Sequence, residues 1–234
     1  LFGQPADFDE INLIAQKYGI SVIEDAAQSF GSIYKGRKSC NLSKIACTSF
    51  FPTKPLGCYG DGGAIFTSDK ILSEKIRQIA RHGQRGRYKH EIVGVNSRLD
   101  TLQAAILLAK LEILDREVYV RNQMAELYNK NLCEIKDLFL PSIKNFNFSA
   151  WAQYTIVCNQ RELLKEHLEG LGIPSFVHYP LPLNHQLAFR NMNVDLEVST
   201  KLANQVLSIP LHAYMETTII EKISEAIHSF FKNK

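Results

Sequence analysis

Lys54 stands between Pro52 and Pro55, with Phe50 and Phe51 just ahead of it and Gly57, Gly60, Gly62 and Gly63 close behind. Each proline ring crowds the residue before it and holds the local backbone out of helix. The glycines then let the chain turn where side chains would collide. An amine on such a stiff, irregular loop can be held in one place and kept partly dry. Under those conditions it becomes a nucleophile toward aldehydes. The same residues also describe an ordinary glycine-rich surface turn carrying an exposed lysine, and this stretch by itself leaves both readings open.

The elements that would position the loop follow from periodicity. Asp7 can cap a helix with Ile11, Ile14, Ala15 and Tyr18 on its apolar face, and Gly19 stops it. Ile20 to Glu24 is a short β-branched run, expected to form a buried parallel strand. Helix, glycine and strand make the αβ unit of a layered α/β domain. Asp25, Ala26, Ala27 and Gln28 lie just past the strand's carboxyl end, the edge where open α/β sheets bind ligands.

A second strand is expected over Ile45–Phe50, delivering the lysine loop, and a third over Ala64–Thr67. A helix over Ile71–Arg81 carries Leu72, Ile76 and Ile79 on one face. Gly83 and Gly86 then open a basic loop whose charge reads as solvation. Asn96-Ser97-Arg98 precedes a long helix in which Ser97 and Asp100 have capping-box spacing. Leu102, Ile106, Ala109 and Ile113 are its expected buried stripe, and the pattern runs to about Leu132.

Beyond Glu134 the expected elements are a strand over Trp151–Cys158, a helix bearing Leu164, Leu168 and Leu171, and strands over Pro174–Tyr179 and Gln205–Ile209. Thr218 with Glu221 caps a last helix bearing Ile219, Ile223, Ile227 and Phe230. The expected division is therefore residues 1–133, ending with the long helix, and a small α/β domain at 134–234.

The 234 residues are 45% hydrophobic and 22% charged, enough for a sizeable core. A net charge of +3 is too small to argue for nucleic acid, though it suits an anionic small molecule. Cys40, Cys47, Cys58, Cys133 and Cys158 show no Cys-x-x-Cys spacing and read as reduced thiols of a cytoplasmic protein. No metal site is expected from them. No apolar run is long enough to span a bilayer, and no signal peptide opens the chain.

Asp25-x-x-Gln28, Ser49, Lys54 with its glycine run, and Asn96-x-Arg98 before a helix together resemble the DegT/DnrJ/EryC1/StrS family of sugar-nucleotide aminotransferases. The family resemblance implies pyridoxal-phosphate enzymes of the aspartate aminotransferase (fold type I) architecture. Here that means part of the large domain followed by the small one. Ser49 to Ala64 and Ser39-Cys40-Asn41-Leu42 are most similar to members that aminate the 3-keto position of a UDP-N-acetyl-hexosaminuronic acid for O-antigen synthesis.

The roles that follow are implied by the resemblance. Lys54 would bond to pyridoxal phosphate and later shuttle a proton; Asp25 would pair with the pyridinium nitrogen, which lets the ring act as an electron sink. Gln28 would meet the phenolic oxygen, and Ser49 the phosphate. Asn96 would reach the phosphate from a neighbouring subunit, which implies a homodimer. Arg98 would bind the C6 carboxylate of a uronic acid, and His178 and Tyr179 would contact the sugar. L-glutamate is the implied donor.

Members of the family begin well before the residue equivalent to Leu1, so roughly the first third is expected to be missing. That leaves a second reading, an inactive fragment or non-catalytic remnant, and a third, action on a 3- or 4-keto-6-deoxyhexose. A dinucleotide-binding oxidoreductase would need Gly-x-Gly-x-x-Gly between a strand and a helix, whereas the glycines at 57–63 precede a strand.

Overall fold

The computed structural model describes residues 1–189 and 194–232. It divides into two compact units, the first comprising Leu1, Gly3–Val118 and Ile143–Ala152, the second Phe2, Tyr119–Ser142 and Gln153–Lys234.

In the first unit, α1 (Phe8–Lys17) leads to β1 (Ile23–Asp25). A small antiparallel sheet follows, β2 (Ile33–Tyr34) paired with β3 (Arg37–Lys38) and later with β8 (Asn147–Phe148). Next come β4 (Ile45–Ser49), β5 (Gly63–Phe66) and α2 (Lys70–Ala80). The central sheet has the order β1-β4-β5, with β1 parallel and β5 antiparallel to β4. Asp69 caps α2 by accepting from the N–H groups of Ile71 and Leu72, which satisfies two of the donors a helix start leaves unpaired.

Strand alternation sorts the sheet's side chains. Glu24, Ala46 and Thr48 are buried on one face, while Ile23, Asp25, Cys47 and Ser49 share the other. Ile23 is 66% exposed, so the run read as a strand buried on both faces is buried on one. On α1, likewise, Phe8 and Ala15 are buried but Ile14 and Tyr18 are exposed. Asp7 makes no side-chain cap; its carboxylate accepts instead from the Tyr34 hydroxyl.

Glu24 is the chief polar support of this unit. Only 1% exposed, it accepts from the Ser39 hydroxyl at 3.0 Å, the Cys40 N–H at 2.8 Å and the Leu42 N–H at 3.0 Å. The stretch Ser39–Leu42 is thus moulded around one carboxylate, and Cys40 takes a left-handed φ of 69° to present its N–H. Burial and the Glu24 charge push the Cys40 thiol up to about 12. Glu24→Ala would strand two buried backbone donors, at about 3 kcal/mol. Urea unfolding of that variant should show a lower midpoint, with Glu24→Gln, which keeps one acceptor, in between.

The sequence between α2 and the long helix, expected to be a loop, forms a hairpin of β6 (Gln84–Gly86) and β7 (Lys89–His90). α3 (Thr101–Leu132) is continuous; its residues through Val118 belong to the first unit and those from Tyr119 to the second. The sequence-based division at 133/134 and this one differ in where they cut around α3. The face that meets the core carries Leu107, Leu114 and Val118, packed with Phe50, Leu56 and Cys58. The expected stripe lies elsewhere: Leu102 is 71% and Ile113 42% exposed. α3 is apolar on more than one face, so periodicity does not say which one turns inward.

In the second unit β9 (Tyr154–Val157) pairs antiparallel with β10 (Val206–Ile209), every residue of which is buried. Leu164 and Leu168 of α4 (Arg161–Gly170) are buried, whereas Leu171 lies beyond the helix and is exposed. α5 (Glu197–Ala203) precedes β10. Ile220, Ile223, Ile227 and Phe230 form the inner face of α6 (Thr217–Lys232). Thr218 stands inside α6, so the expected cap at that residue does not form. Pro174–Tyr179 is no strand but touches β10 through a bridge between Phe176 and Ser208. No helix among the described residues is long and apolar enough to cross a membrane, and none of their side chains cluster as a metal site.

Candidate active site

Because β1 and β4 are parallel, they end on the same edge of the sheet. Asp25 closes β1 opposite Cys47, and Ser49 closes β4 two residues further on. Asp25 Oδ1 accepts from the Ala27 N–H at 3.0 Å, which opens the turn holding Gln28. The Ser49 hydroxyl accepts from the Phe51 N–H at 3.2 Å, leaving its proton for a donor role. Lys54 begins the return of the loop, its own N–H bonded to the Phe51 carbonyl at 2.9 Å. The loop is closed by the Cys58 N–H on the Phe50 carbonyl at 2.8 Å.

Burial and the Asp25 charge raise the Cys47 thiol. The carboxyl edge of the sheet thus presents the Asp25 carboxylate and the Ser49 hydroxyl, with Gln28 on the turn after β1 and half-buried Lys54 on the loop after β4.

Asn96 and Arg98 lie on the stretch between the β6–β7 hairpin and α3. The strip Val95–Ser97 is laid along the end of α2, with Val95 N–H on the Ile79 carbonyl at 2.8 Å and Ser97 N–H on that of Ala80 at 3.0 Å. Asn96 and Arg98 line a cavity of about 1050 Å³ together with Asp61, Arg77 and Cys47; Asp25, Gln28, Ser49 and Lys54 do not line it.

His178 and Tyr179 belong to the second unit. The His178 ring lies edge-on to Tyr179 at 5.5 Å, and its Nδ1 meets the Ser208 hydroxyl at 3.0 Å. Ser208 in turn meets Thr155 at 2.9 Å. Burial lowers the affinity of His178 for a proton, which favours a neutral ring with Nδ1 engaged.

A sheet whose strand-end edge presents an aspartate, followed by a loop lysine, is consistent with an α/β ligand-binding framework. The chain belongs to the DegT/DnrJ/EryC1/StrS aminotransferase family, which it matches over residues 1–228.

Among curated relatives it is 57% identical over 227 residues to the UDP-2-acetamido-2-deoxy-3-oxo-D-glucuronate aminotransferase of Pseudomonas aeruginosa, covering 97% of this chain and 63% of that protein. It is 37% identical to the UDP-N-acetyl-3-dehydro-alpha-D-glucosamine 3-aminotransferase of Acidithiobacillus ferrooxidans, over 97% of this chain and 62% of the relative. Among solved structures, a family aminotransferase from Brucella abortus superposes with a TM-score of 0.95 at 40% identity, over 99% of this chain and 62% of that one. NtdA from Bacillus subtilis, solved with bound cofactor PMP, has a TM-score of 0.90 at 27% identity, over 99% and 55%. The chain thus spans about three-fifths of the length of the curated relatives it matches. The fold is the type I transferase architecture that the resemblance implied.

Three contributors escape sequence reasoning. Glu24 reads as one more polar residue at a strand end, and its burial depends on the loop that folds over it. Ser208 sits in an apolar strand, and Gln103 in a helix whose pattern is dominated by leucine and alanine. No spacing signal marks any of the three.

Proposed function

We propose that this chain carries the chemistry of a pyridoxal-phosphate-dependent sugar-nucleotide aminotransferase that moves an amino group from L-glutamate to the 3-keto position of a UDP-N-acetyl-hexosaminuronic acid. The observation that carries the reading is the placement of Asp25 at the end of β1 and of Lys54 on the loop that follows β4, its parallel neighbour, in a chain 57% identical to an aminotransferase of that substrate type.

The residues suit the cofactor: an amine for its aldehyde, a carboxylate for its ring nitrogen, a hydroxyl for its phosphate and a carboxamide for its phenolic oxygen. When bound, pyridoxal phosphate supplies the electron sink for breaking the donor's Cα–H bond. Lys54 would hold the cofactor through its amine and would serve as the base that takes the proton from the donor carbon. Asp25 would pair with the ring nitrogen and favour its protonated form. Ser49 would donate to the phosphate, and Gln28 would orient the ring through its phenolic oxygen. The Cys58–Phe50 closure keeps Lys54 on a short tether, which limits the positions its amine samples.

Asn96 lines a cavity that the four cofactor residues do not, which fits a residue serving a second copy; we place the active sites at a homodimer interface. His178, held by Ser208, offers its outer nitrogen to the sugar, beside Tyr179. Five free cysteines accord with a cytoplasmic enzyme, and O-antigen synthesis is the role we assign.

Arg98 supplies the choice of an acidic sugar, since a guanidinium binds a carboxylate in bidentate fashion. Arg98→Ala should cut kcat/KM for the uronic-acid substrate about a hundredfold, and that for a 6-deoxy analogue only severalfold. Steady-state kinetics on both nucleotide sugars decides it. Equal losses would favour a neutral keto-sugar as the substrate.

A further inference from the structure

Gln103, near the start of α3, holds the glycine-rich loop that follows Lys54 in the manner of a neighbouring strand. Its Oε1 accepts from the Tyr59 N–H at 2.8 Å, and its Nε2 donates to the Tyr59 carbonyl at 3.0 Å. Both backbone groups of one exposed loop residue are thereby satisfied by a single carboxamide. Two turns along the same helix, the Lys110 ammonium donates to the Gly57 carbonyl and stands 5.9 Å from the centre of the Tyr59 ring.

The loop transmits this hold to the lysine. A Cβ on Gly57 would come within 2.5 Å of the Pro52 carbonyl oxygen and 2.8 Å of that of Phe51. The returning strand of the loop therefore lies directly on the turn that carries Lys54. At the other end of the clamp, a Cβ on Gly60 would approach Gln103 Nε2 to 3.2 Å. Glycines at both positions allow the carboxamide and the turn to close on each other without intervening side chains.

We infer that Gln103, supported by Lys110, is a positioning residue for Lys54: it fixes the 57–61 loop against α3 and so holds the turn bearing the reactive amine. The inference rests on the reading of Lys54 as the cofactor lysine. It adds a requirement that Lys54 itself does not reveal, namely that the amine's placement depends on a side chain more than forty positions away in sequence. Gln103 does not touch the reacting atoms.

The test uses the purified protein and its Gln103→Ala and Gln103→Glu variants. Glutamate keeps the acceptor for the Tyr59 N–H but sets a carboxylate against the Tyr59 carbonyl. Hydrogen exchange read by mass spectrometry should accelerate about tenfold or more over residues 57–62 in both variants, with α3 and the β1-β4-β5 sheet unchanged. Pyridoxal phosphate with borohydride trapping should label Lys54 about tenfold more slowly in the variants, while surface lysines such as Lys70 and Lys75 label at the wild-type rate. Unchanged exchange over 57–62, or unchanged Lys54 selectivity beside faster exchange, overturns the proposal. A wild-type protein that never labels at Lys54 removes the cofactor reading instead. The exchange arm then still decides whether Gln103 braces the loop.

Discussion

Lys54→Ala is expected to abolish amino transfer, lowering kcat by about ten-thousandfold or more while leaving the protein folded. The side chain is lost from a loop, not from the core, and the backbone bonds that shape the loop, Lys54 N–H to Phe51 and Cys58 N–H to Phe50, do not involve it. What disappears is the amine assigned both to bond an aldehyde and to move a proton at the donor carbon. Lys54→Arg keeps a cation in the same place without a comparable nucleophile, and it should be equally inactive. Single-turnover amination of the keto-sugar, followed beside thermal melting, separates the chemical loss from misfolding. A Lys54→Ala protein within tenfold of wild type would place the chemistry on another residue.

Asp25→Asn should be the next largest loss, about a thousandfold in the half-reaction with glutamate. The substitution is nearly isosteric, and the Asn carbonyl can still accept from the Ala27 N–H, so the end of β1 survives. The charge does not survive. A unit charge 4 Å from the ring nitrogen is worth about 4 kcal/mol at an effective dielectric near 20, which corresponds to roughly three powers of ten in rate. Stopped-flow absorbance with glutamate reads the effect directly. A rate within threefold of wild type would make Asp25 a turn residue and no more. Cys47 offers a control: its thiol is raised partly by the Asp25 charge, so Asp25→Asn should bring it back toward its ordinary range and speed its alkylation.

How much of this was readable in the sequence differs from residue to residue. The β1–loop–β4 arrangement was legible because short β-branched runs and the Pro-Lys-Pro-Gly punctuation are local signals. These place Asp25 and Ser49 at strand ends, and Lys54 on the loop after the second, without knowledge of the rest of the fold. Inward-facing surfaces were not legible to the same degree. Leu102, Ile106 and Ile113 have helical spacing as good as that of Leu107, Leu114 and Val118, and only the packing against Phe50 and Leu56 decides between them. The hairpin at 84–90 escaped because its residues are charged and its glycine spacing reads as loop; the pairing depends on backbone bonds that composition does not encode.

Supporting residues were the least visible of all. Glu24 and Gln103 act through distant backbone groups, at Ser39–Leu42 and at Tyr59, and each becomes meaningful only once those loops have closed on it. Arg98 was visible as a chemical type, but the sequence did not show that it shares a cavity with Asn96 and Arg77.

The most direct measurement is the visible absorbance of the purified protein mixed with pyridoxal phosphate, beside Lys54→Ala, before and after adding L-glutamate. The expected result is a band of lysine-bound cofactor in the wild type alone, which glutamate then bleaches. The same band in Lys54→Ala, or a wild-type protein that is folded and shows none, would contradict the assignment of Lys54 as the residue that holds the cofactor.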